Sequence, residues 1–121
     1  MIKLWIDDIR PMPVDFTHCC INASSAIEFI KANSKNIFTI SFDHDLSEFI
    51  AETELTGNTV AKYIEEALYF NEIKIPNQVT FLVHSSNSTG RANIVATLKS
   101  AGNYTSSIFT IKETPYETFY R

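Results

Sequence analysis

Three apolar, β-rich runs in this chain each stop against a cluster of polar side chains, and that repeated arrangement limits the folds open to it. Ile2-Lys3-Leu4-Trp5-Ile6 ends at Asp7-Asp8, Ile37-Phe38-Thr39-Ile40-Ser41-Phe42 at Asp43-His44-Asp45, and Val79-Thr80-Phe81-Leu82-Val83 at His84-Ser85-Ser86-Asn87. The middle run is almost continuously apolar, the pattern of a central strand covered on both faces. Segments with helical spacing lie between the runs. Asn22 or Ser24 can cap one that carries Ala26, Ile27, Phe29 and Ile30 and ends near Asn33. Thr56 or Asn58 can cap the strongest, through Val60, Ala61, Tyr63, Ile64, Ala67 and Leu68. A third follows Thr89-Gly90 with Ile94, Val95, Leu98 and Ala101, closed by Gly102-Asn103. Strands alternating with helices in this way specify an α/β domain with a mostly parallel sheet.

The first connection breaks the alternation. Pro11 and Pro13 preclude a helix between Asp7 and His18, so a loop is expected to replace the first crossover helix. His18 to Ile21 reads as a short second strand, Leu46 to Leu55 as a loop or frayed turn, and Tyr104 to Ile111 as a final strand ending at Lys112. The aromatic tail Tyr116 to Tyr120 is expected to pack onto the domain. With 121 residues, 45% of them hydrophobic, and neither repeat nor linker, the chain reads as one domain over 1–121.

Composition narrows the partners. Fourteen acidic against ten basic side chains give a net charge of −4, which argues against a broad platform for duplex DNA. A small site for a nucleotide or an RNA end stays open. No run of about eighteen apolar residues could span a membrane, and no apolar signal region precedes Ile2. Cys19 and Cys20 are adjacent, without CxxC spacing or a third thiol, and read as reduced strand residues. A cytoplasmic setting follows as the expectation.

In open parallel sheets ligands sit beyond the carboxyl ends of the strands, which is where the polar clusters fall. Of the five aspartates, Asp7, Asp8, Asp43 and Asp45 lie at two strand ends. Clustered carboxylates repel unless a cation or proton compensates them, so these four are candidate ligands for Mg²⁺ or Mn²⁺. One of Asp7 and Asp8 could instead only cap its loop. His44 and His84, at the ends of two strands expected to be neighbours, are candidates for shared acid and base work with Asp43. Ser85, Ser86 and Asn87 precede a helix and could bind phosphate there, although N-capping alone accounts for one of them. Arg91 lies in the first turn of that helix, where a cation opposes the dipole, so a phosphate contact is its more useful role. Arg10 could pair with Asp8 or reach substrate, and Lys112 is either a solvated lysine or a phosphate counter-ion. There is no GxGxxG, Walker or GxSxG sequence.

Leu4-Trp5-Ile6-Asp7-Asp8-Ile9-Arg10-Pro11, Ser41-Phe42-Asp43-His44-Asp45-Leu46, Thr56-Gly57, and His84-Ser85-Ser86-Asn87 with Gly90-Arg91-Ala92-Asn93 resemble the cyclic-phosphate-processing receiver-like family. The likeness runs from about Ile2 to Leu98 and leaves Tyr104–Arg121 outside it. It implies a receiver-like, flavodoxin-like three-layer fold with a shortened or missing first crossover helix. It also implies a phosphoesterase acting on a cyclic phosphate of RNA or a nucleotide, in RNA repair or phage–host conflict and, if phage-encoded, in the host cytoplasm. By position it matches Asp7, Asp8, Asp43, His44, Asp45, His84, Ser85, Asn87 and Arg91, with Lys112 supported only by the general receiver pattern. The alternative is non-enzymatic: a receiver-type signalling module in which Asp43 accepts phosphate, or a protein that sequesters a nucleotide. A phosphatase using Asp43 and Asp45 as a DxD pair is disfavoured by the spacing around Ser47.

Overall fold

The computed structural model describes residues 1–120. The chain runs β1 (Ile2–Ile6), β2 (His18–Cys20), α1 (Ala23–Asn33), β3 (Ile37–Phe42), β4 (Glu48–Ile50), β5 (Thr53–Leu55), α2 (Gly57–Tyr69), β6 (Gln78–Val83), α3 (Ser88–Ala101) and β7 (Ile108–Glu113). Short 3-10 turns occupy Ser34–Asn36, Gly102–Tyr104 and Tyr116–Tyr120. Five strands form one parallel sheet in the order β2-β1-β3-β6-β7.

That order explains where the helices lie. The steps β2 to β3, β3 to β6 and β6 to β7 all move across the sheet in one direction. Crossovers of one hand therefore deliver α1, α2 and α3 to one face. There they share a hydrophobic cluster with the sheet, including Leu4, Ile6, Ile40, Phe42, Phe81, Val83, Ile30, Val60, Ile64, Ile94 and Leu98. The step β1 to β2 moves the other way, so its connection belongs on the opposite face. It contains no helix among the described residues. The third layer is built from this loop and the C-terminal turn: Phe16 and Phe119 meet Trp5 edge-on at 5.2 and 5.3 Å between ring centroids.

Local chemistry sets the helix starts. Asn22 caps α1 by accepting from Ser25 N at 2.8 Å. Thr56 and Thr59 form a reciprocal capping box at α2. Asn87 caps α3 by accepting from Gly90 N at 2.9 Å, so α3 begins at Ser88, earlier than the Thr89-Gly90 start expected.

Two elements differ from the sequence reading. Leu46–Leu55 contains the antiparallel hairpin β4–β5 rather than a loop or frayed turn. Its position depends on a contact distant in sequence, because Glu48 accepts from Ala23 N and Ser24 N at the start of α1. The last strand begins at Ile108 instead of Tyr104: the chain first makes a 3-10 turn, and Ile108 N then bonds Asn77 O at 2.8 Å. The strand consequently runs on to Glu113, leaving Lys112 within it opposite Leu82.

Candidate functional site

The site grows out of strand register. Ile6, Phe42 and Val83 lie side by side at the ends of β1, β3 and β6. The backbone ladder continues one step further, with Asp43 N on Ile6 O at 2.9 Å and His84 N on Phe42 O at 3.0 Å. The next residues, Asp7, Asp43 and His84, therefore stand at one level and turn to one face, the face of Trp5. All three are buried, and one ligand atom from each lies within 4.8 Å of the others.

Asp7 is held from several directions. Its Oδ1 accepts from Ile9 N and Arg10 N at 2.9 Å each, and its Oδ2 meets His84 Nε2 at 2.9 Å. His84 Nδ1 meets Ser41 Oγ at 2.7 Å, and the imidazole lies flat on the Trp5 indole at 3.9 Å between centroids. The result is a buried Ser41–His84–Asp7 chain under an aromatic plate. Trp5 Nε1 in turn donates to Arg10 O at 3.1 Å, fixing the loop that carries Arg10.

The two buried carboxylates experience opposite effects. Burial pushes the Asp7 carboxyl up, but the His84 bond, the two backbone N–H donors and the His84 charge outweigh it, leaving its pKa below the usual carboxylate value. Asp43 is pushed up, first by burial and then by the Asp7 charge; His84, His44 N and Arg10 only partly offset this. Arg10 stands between them, with Nη1 3.8 Å from Asp7 Oδ2 and 3.7 Å from Asp43 Oδ1.

His44 belongs to a separate network, so the structure does not bring the two histidines together as an acid–base pair. It follows Asp43 by one residue, and that offset turns a side chain to the other face of a strand end. His44 Nδ1 bonds Asp45 Oδ1 at 2.9 Å, and Asn87 Nδ2 reaches both Asp45 oxygens at 3.4 and 3.3 Å. The ring lies against Gly90, where an added Cβ would be 2.3 Å from His44 Cγ. Gly57 has a similar constraint, since a Cβ there would meet Asp43 O at 1.9 Å. These glycines let the starts of α2 and α3 close onto the Asp43–His44 segment.

Two clefts open here, and Arg10 and Ser86 line both. One, of about 280 Å³, also has Asp7, Asp8, Asp43 and Asp45 in its wall. The other, of about 480 Å³, extends past His84 to Arg91 and the segment Glu113–Glu117. Arg91 Nη1 donates to Ser85 O at 2.8 Å and its Nε to Glu113 Oε1 at 3.1 Å. Ser85 is buried, and its Oγ accepts from Asn87 N at 3.1 Å, which makes it a turn residue. Ser86 is exposed to the clefts. Lys112 and His44 line neither cleft. In β7, Phe109 and Ile111 pack on the core, so alternation turns Lys112 to the opposite face, away from Arg91 and its partner Glu113.

Among the described residues the ligand atoms that gather within 4.8 Å are those of Asp7, Asp43 and His84, so the four aspartates of the sequence reading do not form one ligand set. Both Asp7 oxygens are committed to protein donors, and an imidazole already bonded to Asp7 is a poor ligand for Mg²⁺ or Mn²⁺. The Asp8 carboxylate and Asp43 Oδ2 make no hydrogen bond among the described residues and remain available, with Asp45 at the rim.

Sequence reasoning missed Ser41, Trp5 and Tyr116. Ser41 had a readable signal: it is a polar residue in a central strand, two places before Asp43 and therefore on the same face. Tyr116 had none, since only the path of the tail brings it over Arg10, whose guanidinium carbon is 5.2 Å from the ring centroid.

No helix of the described chain is long and apolar enough to cross a membrane. No curated protein and no solved structure matches the chain. A family model for the cyclic-phosphate processing receiver domain matches residues 2–100, from β1 through nearly all of α3 and including every carboxylate, histidine and arginine described above except those of the C-terminal segment. With its parallel sheet and polar strand ends, the chain belongs to the cyclic-phosphate processing receiver domain family.

Proposed function

We propose that the chain is a phosphoesterase that opens a cyclic phosphate at an RNA end or on a nucleotide. The observation that supports this reading is the Arg10 guanidinium poised between two buried carboxylates and opening onto a cleft that contains a second arginine. Among the described residues Arg10's guanidinium makes no side-chain hydrogen bond, only ion pairs with Asp7 at 3.8 Å and Asp43 at 3.7 Å, so its N–H fork can turn donors to phosphoryl oxygens. Arg91 and Ser86 would hold the remaining oxygens. In the reaction a water oxygen bonds to phosphorus, one ring P–O bond breaks, and the leaving ribose oxygen takes up a proton. Asp43, whose Oδ2 makes no hydrogen bond among the described residues, is placed to take the water's proton and pass it to the leaving ribose oxygen. Asp7, fixed by His84, holds the Arg10 loop in place through its two backbone bonds.

Asp8 and Asp43, with Asp45 nearby, would hold Mg²⁺ or Mn²⁺, which when bound supplies positive charge to the phosphoryl oxygens. The His44–Asp45–Asn87 network positions the Asp43 segment against α3. RNA repair or phage–host conflict is the biological setting we propose, in a cytoplasm.

Assays with 2′,3′-cyclic mononucleotides and cyclic oligonucleotides, with Mg²⁺ or Mn²⁺ added, test the reading. We expect turnover that falls by about 10²-fold or more in Arg10→Ala, the scale for losing a group that stabilises developing charge. Absence of turnover, or turnover indifferent to both Arg10→Ala and Asp43→Asn, overturns it. Asp43 Oδ2, which makes no hydrogen bond among the described residues, favours a second reading, a receiver-type module phosphorylated at that carboxylate. An acyl phosphate seen by intact mass after treatment with a small phosphodonor, and lost in Asp43→Asn, favours that reading.

A further inference from the structure

The larger cleft has a wall that the family match does not cover. Matching ends at residue 100, whereas Glu113, Thr114, Pro115, Tyr116 and Glu117 line the side facing Arg10 and Arg91. Its volume of about 480 Å³ is far more than a phosphate group needs and lies within the usual range for small organic ligands. Its composition is mixed. Two arginines and Ser86 supply donors for an anion, while Pro115 and the Tyr116 ring add apolar surface beside them.

The tail is held in this position by specific contacts. Thr114 N bonds Val83 O at 2.9 Å, extending the sheet ladder by one step next to His84. Phe119 packs edge-on to Trp5, and Tyr120 Oη donates to Pro11 O at 2.8 Å, across the loop that carries Arg10. Tyr116 itself sits under Arg10. The cation that would take a phosphate and the aromatic wall are thus adjacent parts of one assembly. A phosphate ester bound at Arg10 would direct its organic part along Pro115–Tyr116.

We infer that the segment Thr114–Glu117 forms a nucleoside subsite, in which the base of a phosphate-bearing nucleotide packs on Tyr116 while Arg10 and Arg91 hold the phosphate. The inference rests on the reading of Arg10 and Arg91 as phosphate ligands, and it concerns binding rather than turnover. It assigns to this chain's own C-terminal segment the preference for a nucleotide over a bare sugar phosphate. Carboxylates at Glu113 and Glu117 add hydrogen-bond acceptors to that wall and repel extra phosphates, which suits a mononucleotide or a single chain end.

Equilibrium titration of the intact chain with 5′-mononucleotides, 2′,3′-cyclic mononucleotides and ribose 5-phosphate tests this directly. We expect the nucleotides to bind more tightly than ribose 5-phosphate. Tyr116→Ala should weaken nucleotide binding by about 5- to 150-fold, the range for one base–aromatic stack, and ribose 5-phosphate binding much less. Tyr116→Trp should retain the preference. Saturation transfer from base protons to the Tyr116 ring in the unmutated protein gives the same answer should the alanine variant loosen the tail. Equal affinity for ribose 5-phosphate and nucleotides overturns the inference, as does nucleotide binding without transfer to Tyr116. Base contact without turnover would support the subsite and defeat the phosphoesterase, whereas turnover indifferent to Tyr116→Ala would do the reverse.

Discussion

The two faces of the sheet use the same strands for different ends. On the helix face Leu4, Ile6, Phe42, Phe81 and Val83 meet three amphipathic helices in one apolar cluster. On the other face the alternate residues Trp5, Asp7, Ser41, Asp43 and His84 form a polar chain under aromatic cover, roofed by a loop and a 3-10 turn. Helical cover without polar demands gives stability. The irregular roof instead leaves clefts beside buried charges. Stability and chemistry can therefore be perturbed separately, although they are only one residue apart along each strand.

The largest expected effect tests the helix face. Phe42→Ala removes a fully buried ring between sheet and helices and should cost about 3–5 kcal/mol. Urea unfolding followed by far-UV circular dichroism measures the loss, and a change well under 1 kcal/mol would show that this face is not the main source of stability.

The next effects lie on the polar face and have opposite signs. Asp7→Asn breaks a charge-assisted bond to His84 and should destabilise by about 1.5–3 kcal/mol at neutral pH. Because the folded pKa of Asp7 is depressed, its contribution is full above the ordinary carboxylate value and lost as pH falls through the folded value. Asp43→Asn should instead stabilise the metal-free protein at neutral pH, by relieving the buried charge next to Asp7. Its folded pKa is raised, so the favourable contribution of the native Asp43 is full below the ordinary carboxylate value and lost as pH rises through the folded one. The advantage of Asp43→Asn should thus be absent in acid and emerge as pH rises. Chemical denaturation from pH 3 to 8 in a chelating buffer compares the two, and shifts of the same sign would break the contrast.

The smallest effect lies at the cleft rim. Glu113→Gln removes a half-exposed ion pair with Arg91 and should change stability by about 0.5 kcal/mol or less. It should tighten inorganic phosphate binding by releasing the guanidinium, and NMR titration with phosphate reads this. Weaker binding would show that Glu113 orients Arg91 rather than competes for it.

Much of this was legible in the chain because it depends on neighbours in sequence. The apolar runs, their polar ends, the proline-broken first connection and the caps at Asn22 and Thr56 follow from local pattern and side-chain chemistry. So does the convergence of Asp7, Asp43 and His84, once the strands are taken as parallel neighbours. What was not legible depends on register or on distant contacts. The pairing of His44 with His84 failed because a one-residue offset at a strand end changes the face, and register is settled by inter-strand bonds. Lys112 was placed beyond its strand because the 3-10 turn at Gly102–Tyr104 delays the start of β7. The β4–β5 hairpin gave no signal, being anchored by Glu48 on the distant start of α1.

The sequence by itself determined the alternation of strands and helices and the inventory of acids, histidines and arginines at the strand ends. Local propensity and hydrophobic period suffice for that. Only the tertiary structure decided which of those groups meet: that Asp7 is engaged by His84 while Asp43 keeps an oxygen unbonded among the described residues, and that a C-terminal aromatic comes to lie beneath Arg10. The physical reason is that burial, charge compensation and aromatic contact depend on distances between residues far apart in the chain, which only the packed sheet and its roof can set.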